Sequence, residues 1–211
     1  MNEGGPSRSV KISPDERTGW SSERPRRDGA PRPVDISVRC RVLAPSDRLR
    51  YMPGSLLVIV GSAATDPGKF AERVVEERGV AILPARVRAL LTGRVDEAEI
   101  EERSQELLLA AVTKRLQQGD SVVVPVTGFD RDDRERLTRI AHQFRRPRHL
   151  ILLDAGRDQV SDDERPLLDE LRRAVDSGEV GAEGFQTALR LGGSARSELK
   201  RIVFQPPPRD D

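Results

Sequence analysis

Leu56-Leu-Val-Ile-Val-Gly-Ser-Ala-Ala-Thr-Asp-Pro-Gly-Lys-Phe-Ala71 is the stretch that decides the fold. Leu56 to Val60 are uniformly aliphatic, without the polar alternation of a half-exposed strand, so they fit a strand covered on both faces, as in a parallel sheet. Small residues follow from Gly61 to Thr65 and form a turn. Asp66-Pro67 then reads as a helix start. Asp is a favoured N-cap, and Pro suits the first helical position because the N–H it lacks is one the helix leaves unpaired anyway. A buried strand that runs into a helix N-terminus is also where α/β proteins most often hold anions, since backbone N–H groups converge there.

Working outward, two further aliphatic runs, Ser121-Val-Val-Val-Pro-Val126 and Leu150-Ile-Leu-Leu153, read as buried strands. Helical patterns lie between them. Ile100, Leu107, Leu108, Ala111 and Val112 keep one face, interrupted by Ser104, and Gly119 is placed to end that helix. Leu137, Ile140, Ala141 and Phe144 form a second stripe after Asp130, a plausible cap. Upstream, Ile36, Val38, Cys40 and Val42 alternate with Ser37, Arg39 and Arg41, the pattern of an edge strand. Strands alternating with helices give a three-layer α/β/α domain with a mostly parallel sheet, expected over residues 34–205. Residues 1–33, with five prolines and few aliphatics, read as a disordered tail, and residues 206–211 as a second short tail.

The 211 residues include 34% charged side chains, against roughly 25% in an ordinary soluble domain. Lys+Arg 36 and Asp+Glu 35 leave a net charge of +1, so no global field draws the chain to nucleic acid or to an acidic membrane. Cys40 is the single cysteine, which excludes an internal disulfide and a multi-cysteine zinc site. His142 and His149 have no triad or metal partners in sequence. No apolar run approaches the roughly 20 residues that span a bilayer, and the start of the chain has no apolar signal region, so a cytoplasmic protein without membrane contact is expected.

The turn at 61–71 resembles the P-loop of the small P-loop kinases, closest to the polynucleotide 5′-kinase-like group, in which a strand and Val-Gly lead into G-x-x-x-x-G-K-[ST]. Two registers fit. Taking Gly68-Lys69 as the motif's Gly-Lys requires two extra residues after Gly61 and puts Phe70 at the magnesium-binding hydroxyl. Without a gap from Gly61, Phe70-Ala71 matches the Phe-Ala that follows the motif in these kinases. Asp66 then replaces the second Gly, Pro67 the Lys and Gly68 the Ser or Thr. The ungapped register is preferred, and it lacks both lysine and hydroxyl.

The resemblance continues over about residues 50–205. Ile82-Leu-Pro-Ala-Arg-Val-Arg88 is similar to the segment whose Asp serves as general base, with Ala85 at the Asp position and Arg88 at the following Arg. Val122-Val-Val-Pro-Val-Thr-Gly128 is similar to a Val-Val-Asp-x-Thr-Asn strand end, with Pro125 for Asp and Gly128 for Asn. Leu152-Leu-Asp154 matches the strand before the lid, and Arg157 stands for one lid arginine. Glu183-Gly-Phe185, Leu189-Arg-Leu191 and Ser194 to Val203 resemble the closing elements. The resemblance implies a P-loop NTPase fold whose apolar frame is kept and whose functional residues are altered.

Phosphoryl transfer needs positioned positive charge, a metal ion and, in these kinases, a carboxylate base. Lysine, hydroxyl, base and strand-end Asp are all replaced here. The favoured reading is therefore a catalytically degenerate, self-capped kinase-like domain that binds or regulates another protein, with no catalytic residue, cofactor or metal. The alternative is a divergent kinase in which Gly61, Gly68, Lys69, Arg88 and Arg157 hold ATP and magnesium. A third reading is an RNA-binding module using Arg145-Arg-Pro-Arg-His149 and the tail cluster Arg24-Pro-Arg-Arg27; almost no aromatic stacking surface accompanies the 145–149 arginines.

Overall fold

The computed structural model describes residues 40–77 and 79–206; the 1–33 tail, the positions Ile36 and Val38, and residues 207–211 lie outside the described residues. The strands are β1 (Arg41–Val42), β2 (Arg48–Tyr51), β3 (Leu56–Gly61), β4 (Val122–Thr127), β5 (Arg148–Leu153), β6 (Thr187–Leu191) and β7 (Arg201–Phe204). The α-helices are α1 (Pro67–Val74), α2 (Pro84–Leu91), α3 (Ile100–Gln118), α4 (Arg131–Gln143), α5 (Arg165–Ser177) and α6 (Ala195–Glu198), with short 3-10 turns at Arg157–Gln159 and Glu179–Glu183.

Five strands form one sheet in the order β1-β6-β5-β3-β4, and every pair is parallel. The quoted stretch supplies its middle: β3 lies between β4 and β5, with Val58 in register with Val124 on one side and Leu150 on the other. From β3 the chain crosses to β4, then returns past β3 to β5, so the connections part at the carboxyl end of β3. That is the position at which α/β sheets leave a crevice. A second, two-stranded parallel sheet pairs β2 with β7.

Period-two alternation distributes the strand side chains between two layers. Leu56, Val58, Val60, Val122, Val124, Leu150 and Leu152 meet Leu108, Val112 and Leu116 of α3, Leu137 and Ala141 of α4, and Leu168, Leu171 and Val175 of α5. Leu57, Ile59, Val123, Ile151 and Leu153 face the other way, against Phe70, Ala71 and Val74 of α1 and the β2–β7 pair. At about 1.5–3 kcal/mol for each large aliphatic side chain removed from water, these two layers dominate the stabilisation. The result is a three-layer α/β sandwich, as the alternating pattern predicts.

Three details differ from the sequence expectation. The α3 stripe runs Ile100, Ser104, Leu108, Val112, Leu116 at a strict spacing of four. Ser104 belongs to it because its hydroxyl donates to the Glu101 carbonyl at 2.9 Å, which satisfies it without a partner element, while Leu107 is 40% exposed. Val42 is likewise exposed; among the described residues β1 has two residues and pairs with β6 alone, at the sheet edge. Lastly, β4 is an edge strand of the five-stranded sheet despite its apolar run. Val122 donates inward to Ser55, whereas Val123 exchanges bonds outward with Val80 and Ile82. Pro125, two residues beyond Val123, therefore faces outward, where its missing N–H leaves no partner strand short of a bond.

Candidate functional site

The carboxyl ends of β3, β4, β5 and β6 bring together Gly61, Thr127, Asp154 and the Gly192-Gly193 turn. The β3–α1 turn is closed upon itself. Thr65 Oγ1 donates to the Ser62 carbonyl at 2.9 Å, and the backbone N–H groups of Thr65 and Asp66 point to the same oxygen at 3.1 and 3.2 Å. A Cβ on Gly61 would stand 2.3 Å from Thr65 Oγ1, so the hollow above Gly61 is filled by the threonine hydroxyl.

Asp66 ends the turn with φ 45°, a left-handed conformation that Asp tolerates better than most residues and that glycine favours. Its Oδ1 accepts the Lys69 N–H at 2.9 Å, and its Oδ2 lies 3.0 Å from Lys69 Nζ. The Lys69 backbone N–H, then its side chain, hold the Asp66 carboxyl below the ordinary carboxylate range. Pro67, at the first helical position, has no N–H to offer. The amides of Thr65, Asp66 and Lys69 are thus all engaged within the turn. The helix starts at Pro67, where the ungapped register puts the motif's lysine.

Gly61, Gly68 and Lys69 share this turn. Arg88, on α2, meets Glu101 at 2.5 Å and Glu97 at 3.5 Å. Arg157 stands in the 3-10 turn after β5, where its carbonyl accepts from Arg165. Among the described residues neither arginine makes a polar contact with the β3–α1 turn. The structure therefore groups three of the five candidate nucleotide ligands and pairs one of the other two with carboxylates.

Asp154, just beyond β5, is the most heavily bonded carboxylate at this end of the sheet. It accepts from Arg172 Nε of α5 at 2.7 Å and from Arg190 of β6 at 2.7 and 2.8 Å, and Arg190 continues to Asp176 at 2.7 Å. Sequence reading did not find this network, although a charged residue inside Leu189-Arg-Leu191 was its one local sign. A second buried pair was also missed: Arg134 donates two parallel bonds to Glu183, at 2.7 and 2.8 Å, and a third to the Phe129 carbonyl. Both side chains are nearly fully buried, and Thr138 Oγ1 binds the Glu183 carbonyl, so this pair fastens the 179–183 turn to α4.

Two arginines of the basic cluster 145–148 bond backbone carbonyls. Arg146 Nε donates to the Leu116 carbonyl at 2.9 Å and Arg148 Nε to the Gly184 carbonyl at 2.6 Å; burial lowers the Arg148 pKa. The adjacent His149 is buried against Tyr51, rings 4.3 Å apart, with Nδ1 2.8 Å from Thr187 Oγ1. Among the described residues no group of His, Cys, Asp and Glu is arranged to hold a metal ion, and no helix is long and apolar enough to cross a membrane.

No family model matches the chain. No curated protein matches it either. Among solved structures it is similar to a chain of the PezAT chromosomal toxin–antitoxin system of Streptococcus pneumoniae, at 10% identity and TM-score 0.45 over 72% of this chain and 71% of that one. It is similar to APE1195, at 15% identity and TM-score 0.40 over 65% and 85%, and to the tunicamycin resistance protein of Deinococcus radiodurans, at 20% identity and TM-score 0.35 over 72% and 99%. Likenesses this distant assign no activity; the local geometry has to carry it.

Proposed function

We propose that this chain is a kinase-like P-loop domain whose phosphate turn is closed by its own side chains, and that it acts by binding another protein rather than by transferring a phosphoryl group. The observation that carries this reading is the double engagement of Asp66, with the Lys69 amide at 2.9 Å and the Lys69 ammonium at 3.0 Å. In the ungapped register this carboxylate occupies the helix N-terminus at which a polyphosphate is held. It takes up the Lys69 N–H at that N-terminus, and its negative charge opposes a phosphate at the favourable end of the helix dipole.

The other parts of the chemistry support the same reading. Gly68 offers no hydroxyl for magnesium, Ala85 stands where a base is required, and Pro125 replaces the strand-end carboxylate. Removing one electrostatic group of a transition-state site typically lowers the rate 10²–10³-fold, and here the missing groups belong to different parts of the mechanism. ATP and magnesium have no fitting set of ligands at this turn, so no step is assigned to them.

Calorimetric titration with ATP and magnesium tests the reading. The natural protein is expected to show no saturable heat, while the triple variant Asp66→Gly, Pro67→Lys, Gly68→Ser is expected to gain affinity. Tight binding by the natural protein that Lys69→Ala abolishes would instead show that the ungapped register is wrong and make the divergent kinase the leading reading.

A further inference from the structure

A hollow of about 530 Å³ opens where α4 runs into β5, lined by His142, Gln143, Arg145, Arg146, Arg148 and Gln186. Because β5 begins at Arg148 and the strands of its sheet are parallel, the hollow lies at the amino edge of that sheet, the opposite edge from the β3–α1 turn. Three guanidinium groups and no carboxylate line it. The carboxyl end of α4 attracts cations, but with only about half a unit of negative charge, which leaves most of the three positive charges unanswered.

The arginines are held in place without being neutralised. Arg146 Nε donates to the Leu116 carbonyl and Arg148 Nε to the Gly184 carbonyl, and the Nη groups of both have no hydrogen-bond partner among the described residues. Space is kept for Arg146: a Cβ on Gly54 or Gly119 would come within 3.3 or 3.2 Å of its Nη atoms. Arg145 stands at φ 55°, a left-handed conformation in which glycine is more relaxed, and its side chain bonds nothing among the described residues. The turn that carries all three is fixed by its own backbone, Arg145 N–H to the His142 carbonyl, Arg146 N–H to the Ala141 carbonyl and Leu56 N–H to the Pro147 carbonyl, at 3.0, 2.9 and 2.8 Å. Arg134, Arg172 and Arg190 each meet a carboxylate. None of the three here does, among the described residues, although Arg146 and Arg148 are half-buried. A guanidinium drawn out of water without a counter-charge is costly, and an anion bonded to the free Nη groups would supply one.

We propose that this hollow binds a phosphate monoester or free phosphate as the dianion, its oxygens taking the Nη groups of Arg145, Arg146 and Arg148. Guanidinium forks suit carboxylate and phosphate alike, but three forks match the three terminal oxygens of a monoester, where a carboxylate presents two. No Phe, Tyr or Trp lines the hollow for a base to stack on, and a net charge of +1 draws no long polyanion, so the observations favour a single phosphate group over an RNA strand. The site goes beyond the function proposed above and stands apart from the β3–α1 turn.

The test is an amide-resolved NMR titration of the isotope-labelled full chain at about pH 7.5, where a monoester with a second pKa of about 6 is a dianion, and at about 50 mM ionic strength. Inorganic phosphate and a blocked phosphoserine peptide are the two sources of the group. The matching glutamate peptide and a 5′-hydroxyl oligoribonucleotide, which has only diester phosphates, are the comparisons. Both phosphate sources are expected to give saturable shifts at Arg145, Arg148 and Gln186; tighter binding of the peptide assigns the group to a partner protein, and equal binding assigns it to free phosphate. Affinity is expected to fall about tenfold or more in Arg145→Gly/Arg148→Gln, as charge-assisted bonds are lost. Arg145→Gly alone relaxes the backbone, so its expected loss of affinity comes with unchanged amide positions elsewhere in α4 and β5. Absence of saturable shifts, an unchanged affinity in the double variant, equal binding of the glutamate peptide, or tighter binding of the oligoribonucleotide would each overturn the proposal. Magnesium-bound ATP, whose terminal oxygens the metal takes up, is not the ligand; any heat it gave here would persist in Lys69→Ala and vanish in Arg145→Gly/Arg148→Gln, which keeps the two sites distinguishable.

Discussion

Gly61 and Thr65 interlock: the threonine hydroxyl occupies the space that any side chain on Gly61 would need, with Leu153 Cβ at 3.1 Å and Pro67 Cγ at 3.2 Å closing the other sides. The glycine is required here by space and not by backbone conformation. Gly61→Ala is expected to destabilise the domain by about 1–3 kcal/mol, the usual penalty of overpacking. The penalty should shrink in a Thr65→Ala background, and urea unfolding of the four proteins in that cycle measures the coupling. Additive losses would show that the hydroxyl does not fill the hollow.

Asp66 serves the turn in two ways that substitutions separate. Asp66→Ala removes the cap and places a Cβ at φ 45° without a carboxylate to compensate, so a loss of about 1–2 kcal/mol is expected. Asp66→Gly removes the same cap but relieves the backbone, and is expected to lose less. Thermal unfolding of the two variants side by side checks the order.

The frame of the domain was legible because its signals are local. Uniform aliphatic runs marked β3, β4 and β5, and Asp66-Pro67 marked the start of α1 to the residue. The polar network was not legible, because Arg134 and Glu183 lie 49 residues apart and Arg190 and Asp154 36 apart, with no periodicity linking them. Leu107 falls outside the buried stripe although the apolar Leu-Leu-Leu run fits two neighbouring stripes; the satisfied Ser104 hydroxyl decides between them. At the candidate site the cap by Asp66 was legible in the Asp-Pro pair, whereas the ion pair with Lys69 and the filling of the hollow by Thr65 depend on side-chain positions that spacing alone does not give.

The Arg134–Glu183 pair is expected to behave as a buried ion pair. Glu183→Ala leaves a buried guanidinium without its partner and should lose about 3–5 kcal/mol. Replacing both residues, as Arg134→Met/Glu183→Leu, should recover part of that loss, because no uncompensated charge remains. Denaturant midpoints of the single and double variants provide the comparison.

His149 sets a pH dependence of stability whose sign follows from its surroundings. Burial, then the nearby Arg148 charge, push its pKa from the ordinary 6.5 down to about 4. The folded state therefore keeps the ring neutral where the unfolded chain takes up a proton. Between about pH 6.5 and 4 the unfolded state binds more protons, so stability falls as the solution is acidified through that window. The loss reaches about 3 kcal/mol when the folded pKa is passed. Asp66, whose carboxyl is held below its ordinary value, adds a loss only at still lower pH, because a depressed carboxylate is protonated after the unfolded one. Urea unfolding from pH 7 to pH 4 should show the slope in the natural protein and a flatter one in His149→Phe. A His149 ring that titrates near 6.5 by NMR would remove the basis for it.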